Sequence, residues 1–340
     1  MMRFGMLKQF GWVALSVTML SGCSLLGGGT ATTEPRQDPL IGQIIDAGTQ
    51  QPLGYPQLLA RAAKADVVYL GERHDNAEHH RIQLQILQDL IGRGLQPVLG
   101  FEFFDIGQSG YLSQYVSGQA SLMSLGPGSK LTPEQRLRRQ LDWEKRPDQE
   151  WNFYFRLIEL AREHQLEIFG ADLAPSIKLR LSRTDMEQLT AVERQQLQGE
   201  ALEQGVYRDF MYRRFTDGHC GWGEEPLLTR LYRTWRERNY RMAASVVAMA
   251  DDSHAGPVVM IVGAGHTEHN LGLVNQVAKL RPELNQLNIG LQQISIEPSP
   301  LSDYLFDADD PEQALGVRHD LLWFTQRQDY RDICAELNGA

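Results

Sequence analysis

Residues 66–80 read Asp66-Val67-Val68-Tyr69-Leu70-Gly71-Glu72-Arg73-His74-Asp75-Asn76-Ala77-Glu78-His79-His80, and the fold class follows from this stretch. An apolar run, Asp66 to Leu70, leads into a glycine and then into three of the chain's nine histidines. An amphipathic segment, Arg81 to Ile91, continues it. Its Ile82, Leu84, Ile86, Leu87, Leu90 and Ile91 fall on one broad arc at the helical period. Strand, tight turn and helix start form the repeating unit of α/β sheets, and the turn is where such sheets bind ligands. His79 and His80 fall within the apolar arc, so the pattern turns them toward protein rather than water.

The same alternation extends along the chain. Pro97 to Phe104 reads as a second strand. Thr132-Pro133-Glu134 has the form of a helix start. Trp151 to His164 reads as a helix and Glu167 to Gly170 as a short strand. Residues 175–218 are polar and helix-prone, and Glu224 to Ala250 reads as a long helix. Together, about 175–250 is expected to be a helical lid subdomain. Pro257 to Gly263 is apolar throughout, as a central strand should be, and a helix follows it. Ile289 to Ile296 and Asp320 to Thr325 complete the strands. The expected fold is α/β, with a central mostly parallel or mixed sheet flanked by helices.

Two segments share one grammar: apolar strand, glycine, two residues, histidine. They are Gly71-Glu72-Arg73-His74 and Gly263-Ala264-Gly265-His266. The glycine lets the chain leave its strand tightly, and the histidine projects from the strand's carboxyl end. If the two strands are neighbours, both histidines enter one crevice. Glu102 ends a third strand in a similar place. Glu72, His74, Glu102 and His266 together suit a metal ion, acid and base catalysis, or an anionic ligand. The bland alternative is that each histidine only buttresses the next helix. His219, in the turn before the Glu224 helix, either reaches the site from the lid or is a loop residue. Arg238, mid-helix, either meets an anion or forms an exposed ion pair. Tyrosine matters because phenolate ligates ferric haem, and Tyr154, Tyr207, Tyr212, Tyr232 and Tyr240 all lie in expected helices. His164, His254 and His319 have no supporting pattern.

The N-terminus reads as an export signal. Arg3 and Lys8 precede a short apolar run, Trp12 to Leu20, which is too short to span a bilayer. Leu20-Ser21-Gly22-Cys23 resembles the bacterial lipoprotein box, in which the cysteine becomes the lipidated N-terminus. Residues 1–22 are therefore expected to be a lipoprotein signal peptide. Residues 23–39 are expected to be a flexible tether, and 40–340 the folded domain. Lipoprotein sorting implies that Ser24 sends such a chain to the outer membrane. Removing residues 1–22 takes the net charge from −10 to −12, which argues against nucleic acid as a partner. Cys220 and Cys334 remain, in a compartment that permits a disulfide; spacing does not say whether they meet. CxxCH, GxSxG, HExxH and P-loop patterns are absent, which removes covalent c-type haem and the common serine-hydrolase, zincin and nucleotide readings.

Several of these segments together resemble a known family, the ChaN-type haem-binding lipoproteins of the Tiki and erythromycin-esterase-like superfamily. The likeness is carried by Leu70 to Gln83, Leu141-Asp142-Trp143 with Trp151 and Tyr154, and His219-Cys220-Gly221. It continues through Arg238 to Val246, Val258 to His266, and His319 to Thr325. One departure is Thr267-Glu268-His269 after His266, where a more basic sequence is expected. The resemblance implies non-covalent haem, a tyrosine iron ligand and histidine contacts to propionates. It also implies a role in haem and iron acquisition and an outer-membrane haem receptor as partner. A homodimer and an acylated (palmitate-type) anchor at the periplasmic face of a Gram-negative envelope belong to the same picture. The candidate haem contacts are His74, His79, His80, Tyr154, Tyr212, His219, Arg238 and His266, and the lipidation site is Cys23. The superfamily also contains metal-dependent hydrolases built on the paired GxxH motifs. The rival expectation is therefore a divalent metal held by Glu72, His74 and His266, with Glu102 completing a catalytic set.

Overall fold

From residue 44 onward, strands and helices alternate as the hydrophobic pattern requires. In the computed structural model, the described residues are 36–119, 131–197, 205–221, 223–250, 255–310, 313–331 and 334. The expected signal peptide, Cys23, residues 24–35 of the tether and His254 lie outside them. The chain opens with β1 (Ile44–Asp46), β2 (Gln51–Pro52), α1 (Tyr55–Ala62), β3 (Val67–Glu72), α2 (Ala77–Gly92) and β4 (Val98–Asp105). Then come α3 (Ser109–Val116), α4 (Pro133–Gln140), α5 (Asp148–His164) and β5 (Ile168–Asp172). Next are the helices α6 (Pro175–Arg183), α7 (Ala191–Gln196), α8 (Gly205–Gly218) and the long α9 (Leu227–Met249). The chain ends with β6 (Val258–Gly263), α10 (Leu273–Leu280), β7 (Gln286–Gln293), α11 (Leu301–Leu305) and β8 (Leu321–Thr325).

The sheet has eight strands in the order β2-β1-β8-β7-β3-β6-β4-β5. From β8 to β5 every pair is parallel, and β1 and β2 extend the sheet antiparallel. The sheet is thus mixed and mostly parallel, as the sequence implies. The path from β3 to β4 passes over β6, whereas the path from β6 to β7 passes back over β3. Right-handed crossovers running in opposite directions put their helices on opposite faces.

Packing bears this out. Val68, Leu70, Leu99, Phe101, Val259 and Ile261 join Ile82, Ile86 and Leu90 of α2 and Leu157 and Ile158 of α5. Val67, Tyr69, Val98, Val258, Met260 and Val262 join Met242 and Val246 of α9 and Val274 and Val277 of α10. Alternate residues of each strand serve opposite layers, so strands covered on both faces are apolar throughout. Helix α2 begins where Asn76 caps it, its side chain accepting from the N–H groups of Glu78 (2.9 Å) and His79 (3.3 Å).

Two features depart from the sequence pattern. β7 starts and ends three residues before the expected Ile289–Ile296. The shift brings polar side chains into an inner strand, where Tyr69 O–H donates to Gln286 (2.6 Å) and Asn288 Nδ2 donates to the Thr267 carbonyl (2.7 Å). The β1–β2 pair has strands of three and two residues, too short to leave a periodic signal. The cysteine question is also answered: Cys220, just past α8, is disulfide-bonded to Cys334, with Cα atoms 5.0 Å apart.

Candidate functional site

β3 and β6 are neighbours in parallel register, with Leu70 opposite Ile261 and Glu72 opposite Gly263. The two GxxH turns therefore leave the sheet side by side. Their glycines have a purpose beyond tight turning. A Cβ on Gly71 would come within 3.2 Å of Ala264 Cα and Thr267 Oγ1 in the other turn. A Cβ on Gly263 would come within 2.7 Å of His74 Cε1. Each glycine makes room for the opposite motif.

Glu72 is buried and fully engaged. It accepts from Tyr154 O–H (2.5 Å) and Gln83 Nε2 (2.7 Å), and faces His74 Nδ1 (3.0 Å) and His80 Nδ1 (3.1 Å). Burial would raise its pKa, but the charges and hydrogen bonds of His80 and His74 outweigh that and hold it below the ordinary value. Glu102, on β4, accepts from Gly263 N–H (2.6 Å) and Arg238 (2.6 Å) and faces His266 Nε2 (3.2 Å). Burial opposes its charge too, yet His266 and Arg238 hold its pKa well below that of a free carboxylate. Arg238 also binds Asp172, at the end of β5, through Nε (3.0 Å), and Lys178 binds the same carboxylate (2.7 Å). The sequence pattern does not single out Asp172, Lys178 or Gln83 as site residues. For Asp172 the signal was there: like Glu72, it is a carboxylate closing an apolar strand.

The two motif histidines differ in access. The His266 side chain is 3% exposed, stacked on Trp235 with centroids 3.7 Å apart, and its Nδ1 meets the Asn239 amide (2.7 Å). Burial, with Arg238 adding to it, outweighs Glu102 and lowers its pKa. The His74 side chain is 44% exposed and lies edge-on to Phe103. Burial lowers its pKa, but the Glu72 hydrogen bond and the Glu102 charge more than compensate, so it stays protonated to higher pH than an ordinary histidine. Its Nδ1 is engaged by Glu72, and the residue lines the open side.

That open side is a cleft of about 370 Å³ whose walls include Glu72, His74, Glu102, Trp235, Arg238 and His266. Arg73, Arg214 and Arg327 stand at its margin. The other sequence candidates are placed as follows. His79 borders the cleft but is committed inward: Nδ1 accepts Arg73 N–H (2.9 Å) and Nε2 meets Thr325 Oγ1 on β8 (2.9 Å). Burial pushes its pKa down to about 3. His80 lies behind Glu72, stacked on Phe153 and bonded to the His74 carbonyl (3.1 Å). Tyr154 is buried, and desolvation and Glu72 hold its hydroxyl well above the ordinary tyrosine value. Tyr212 lies in a separate depression, paired with Thr229 (3.0 Å). His219 is exposed, its Nδ1 on the Phe215 carbonyl (2.6 Å). No tyrosine lines the cleft among its described residues. The four residues of the rival metal expectation line the one cleft, Glu72 facing His74 and Glu102 facing His266. Among the described residues no group of three or more His, Cys, Asp or Glu is arranged to hold a metal ion.

Comparison with solved structures finds the same architecture. The ChaN protein of Campylobacter jejuni, solved with cofacial haem binding, is 18% identical, with a TM-score of 0.61 over 85% of this chain and 98% of that one. An erythromycin esterase mutant in its open conformation aligns over 85% of this chain and 98% of its own, at 12% identity and a TM-score of 0.46. No curated protein matches the chain. The family model described as haem-binding uptake, Tiki superfamily, ChaN matches residues 58–277. That span runs from α1 to α10 and includes both GxxH turns, Glu102, Asp172 and Arg238, so the chain belongs to the ChaN family of the Tiki superfamily.

Proposed function

We propose that this protein binds haem non-covalently in the cleft at the carboxyl end of β3 and β6. One observation carries the reading: a half-exposed imidazole that lines the cleft, His74, is held through Nδ1 by a buried carboxylate. A histidine kept protonated suits a carboxylate partner, because both its nitrogens then donate. His74 therefore fits a haem propionate better than it fits the iron. Arg73 and Arg214 are half exposed; Arg73 has a surface partner, Asp75 (3.0 Å), and can turn to the same anion, while Arg214 is paired with the buried Glu268 (3.3 Å) at the cleft wall. Trp235 and Leu291 supply apolar surface beside them. Bound haem would supply redox-active iron. Arg238 would hold Glu102 and Asp172 in place and keep the cleft floor rigid.

The proposal extends to the biological setting. The chain would be lipidated at Cys23, anchored at the periplasmic face of the outer membrane, and receive haem from an outer-membrane receptor during iron acquisition. A homodimer would offer a second chain's residues to the iron. The signal-like N-terminus and the family support this setting. Titration of protein lacking residues 1–22 with haemin tests the core of it. A saturable, shifted Soret band is expected, with a stoichiometry that holds at two protein concentrations. Spectra identical to those of a protein-free blank would refute haem binding.

A further inference from the structure

A second groove, of about 600 Å³, opens between α6, α7 and α9. It begins at Leu173, one residue past Asp172, and shares no lining residue with the cleft. Its walls are aliphatic: Leu173, Ile177, Leu181, Leu189 and Leu197. Ile177 is 45% exposed, an unusual outlay of apolar surface for a side chain within a concavity.

The groove's charges are unevenly matched. Arg180 is held by both oxygens of Glu193, at 2.6 and 3.3 Å. Glu237 is buried and engaged within the fold. Arg241, one turn further along α9, has no ion pair with a described residue, and its Nε is buried with no hydrogen-bond partner. Helix α6 starts at Pro175 with no side-chain cap, and Ser176 of its first turn lines the same groove. Uncapped N–H groups at a helix start favour an anion. An aliphatic trough with one uncommitted guanidinium is complementary to a small molecule with one anionic head and a hydrocarbon body.

We propose that this groove binds a free long-chain monocarboxylate of the fatty-acid class. Its carboxylate sits on Arg241 and its chain runs along Ile177, Leu181 and Leu189. The proposal is independent of haem binding, because the two sites have no residue in common.

Calorimetric titration of the full chain with dodecanoate, below its micellar concentration and without detergent, is the test. Saturable 1:1 binding is expected. Dodecylammonium, with the same chain and the opposite charge, should bind at least about tenfold more weakly. Arg241→Gln removes the charge-assisted contact and should weaken dodecanoate roughly 10- to 100-fold. Ile177→Glu, at a half-exposed position, should weaken it comparably while the circular dichroism spectrum and Tm stay unchanged. Saturating haemin should leave dodecanoate affinity unaltered. The idea is overturned if binding is not saturable, if both head groups bind equally, or if neither variant matters. Displacement by haemin also overturns it, because the carboxylate would then be in the cleft.

Discussion

Gly263 and His74 occupy one space: a Cβ on the glycine would stand 2.7 Å from the imidazole Cε1 and 2.9 Å from Nε2. The second GxxH motif thus sets the ring position of the first. Gly263→Ala is expected to push His74 off Glu72 and to destabilise the protein by about 1–3 kcal/mol, the usual cost of overpacking. Urea denaturation measures that cost. NMR titration of the histidines should show the His74 pKa falling back toward the ordinary value. An unchanged titration with unchanged stability would mean the two turns adjust independently.

Much of this arrangement was legible in the sequence, and some was not, for physical reasons. Val67–Leu70 and Val258–Val262 announced central strands because burial on both faces leaves no polar residue in them. The paired glycine–histidine spacing placed both imidazoles at strand ends. It does not separate half-exposed His74 from buried His266, since that depends on Trp235 arriving from α9, earlier in the chain. The committed roles of His79 and Tyr154 were hidden likewise. Their partners, Thr325 and Glu72, lie 246 and 82 residues away. Asp172 closes an apolar strand as a carboxylate, but its role depends on Arg238, 66 residues away, reaching it.

The difference in access between the two histidines leads to opposite outcomes. His74→Ala removes a half-exposed ring and should change stability by less than about 1 kcal/mol, while haemin affinity falls. His266→Ala removes a buried, stacked ring and leaves Glu102 and Asn239 short of a partner. It should cost roughly 2–4 kcal/mol. Thermal denaturation and haemin titration of both variants separate the roles. A larger stability loss for His74→Ala than for His266→Ala would reverse the assignment.

Tyr154 supports Glu72 and does not face the cleft. Tyr154→Phe keeps the ring and deletes one hydrogen bond to a charged, buried acceptor, at a cost of about 1.5–3 kcal/mol. The haemin spectrum of the variant should match that of the parent protein. Loss of a ferric-phenolate signature in Tyr154→Phe would instead make this tyrosine the iron ligand.

His79 makes stability depend on pH. Its folded pKa is pushed down to about 3 from an unfolded value near 6.5. Between those values the unfolded chain binds a proton that the folded chain refuses, so stability rises with pH across that window. From pH 7 to pH 4 this single group should remove about 3 kcal/mol. His319, with a pKa lowered to about 4 by burial, acts in the same direction. Unfolding free energies at pH 7, 5 and 4 measure the sum. His79→Gln should flatten the slope by close to one proton, and an unaltered slope would show that this imidazole is not the source.

Arg238 is the only described cation bridging two strand carboxylates, Glu102 within β4, which runs on to Asp105 rather than ending at Glu102 as expected, and Asp172 at the end of β5. Its pKa is raised: desolvation acts against the charge, but the two carboxylates outweigh it. Replacing it with methionine preserves much of the side-chain bulk and strands both anions. Lys178 still neutralises Asp172, so the larger penalty falls on Glu102, which keeps only Gly263 N–H and His266. Breaking a buried pair from one side typically costs about 3–5 kcal/mol, much of it from the charge left behind. A double-mutant cycle tests that account. In a Glu102→Gln background the stranded anion is gone, and Arg238→Met should cost about 2 kcal/mol less than it does alone. Equal costs in both backgrounds would mean that Arg238 acts through packing, and that the strand ends are held together by something other than charge.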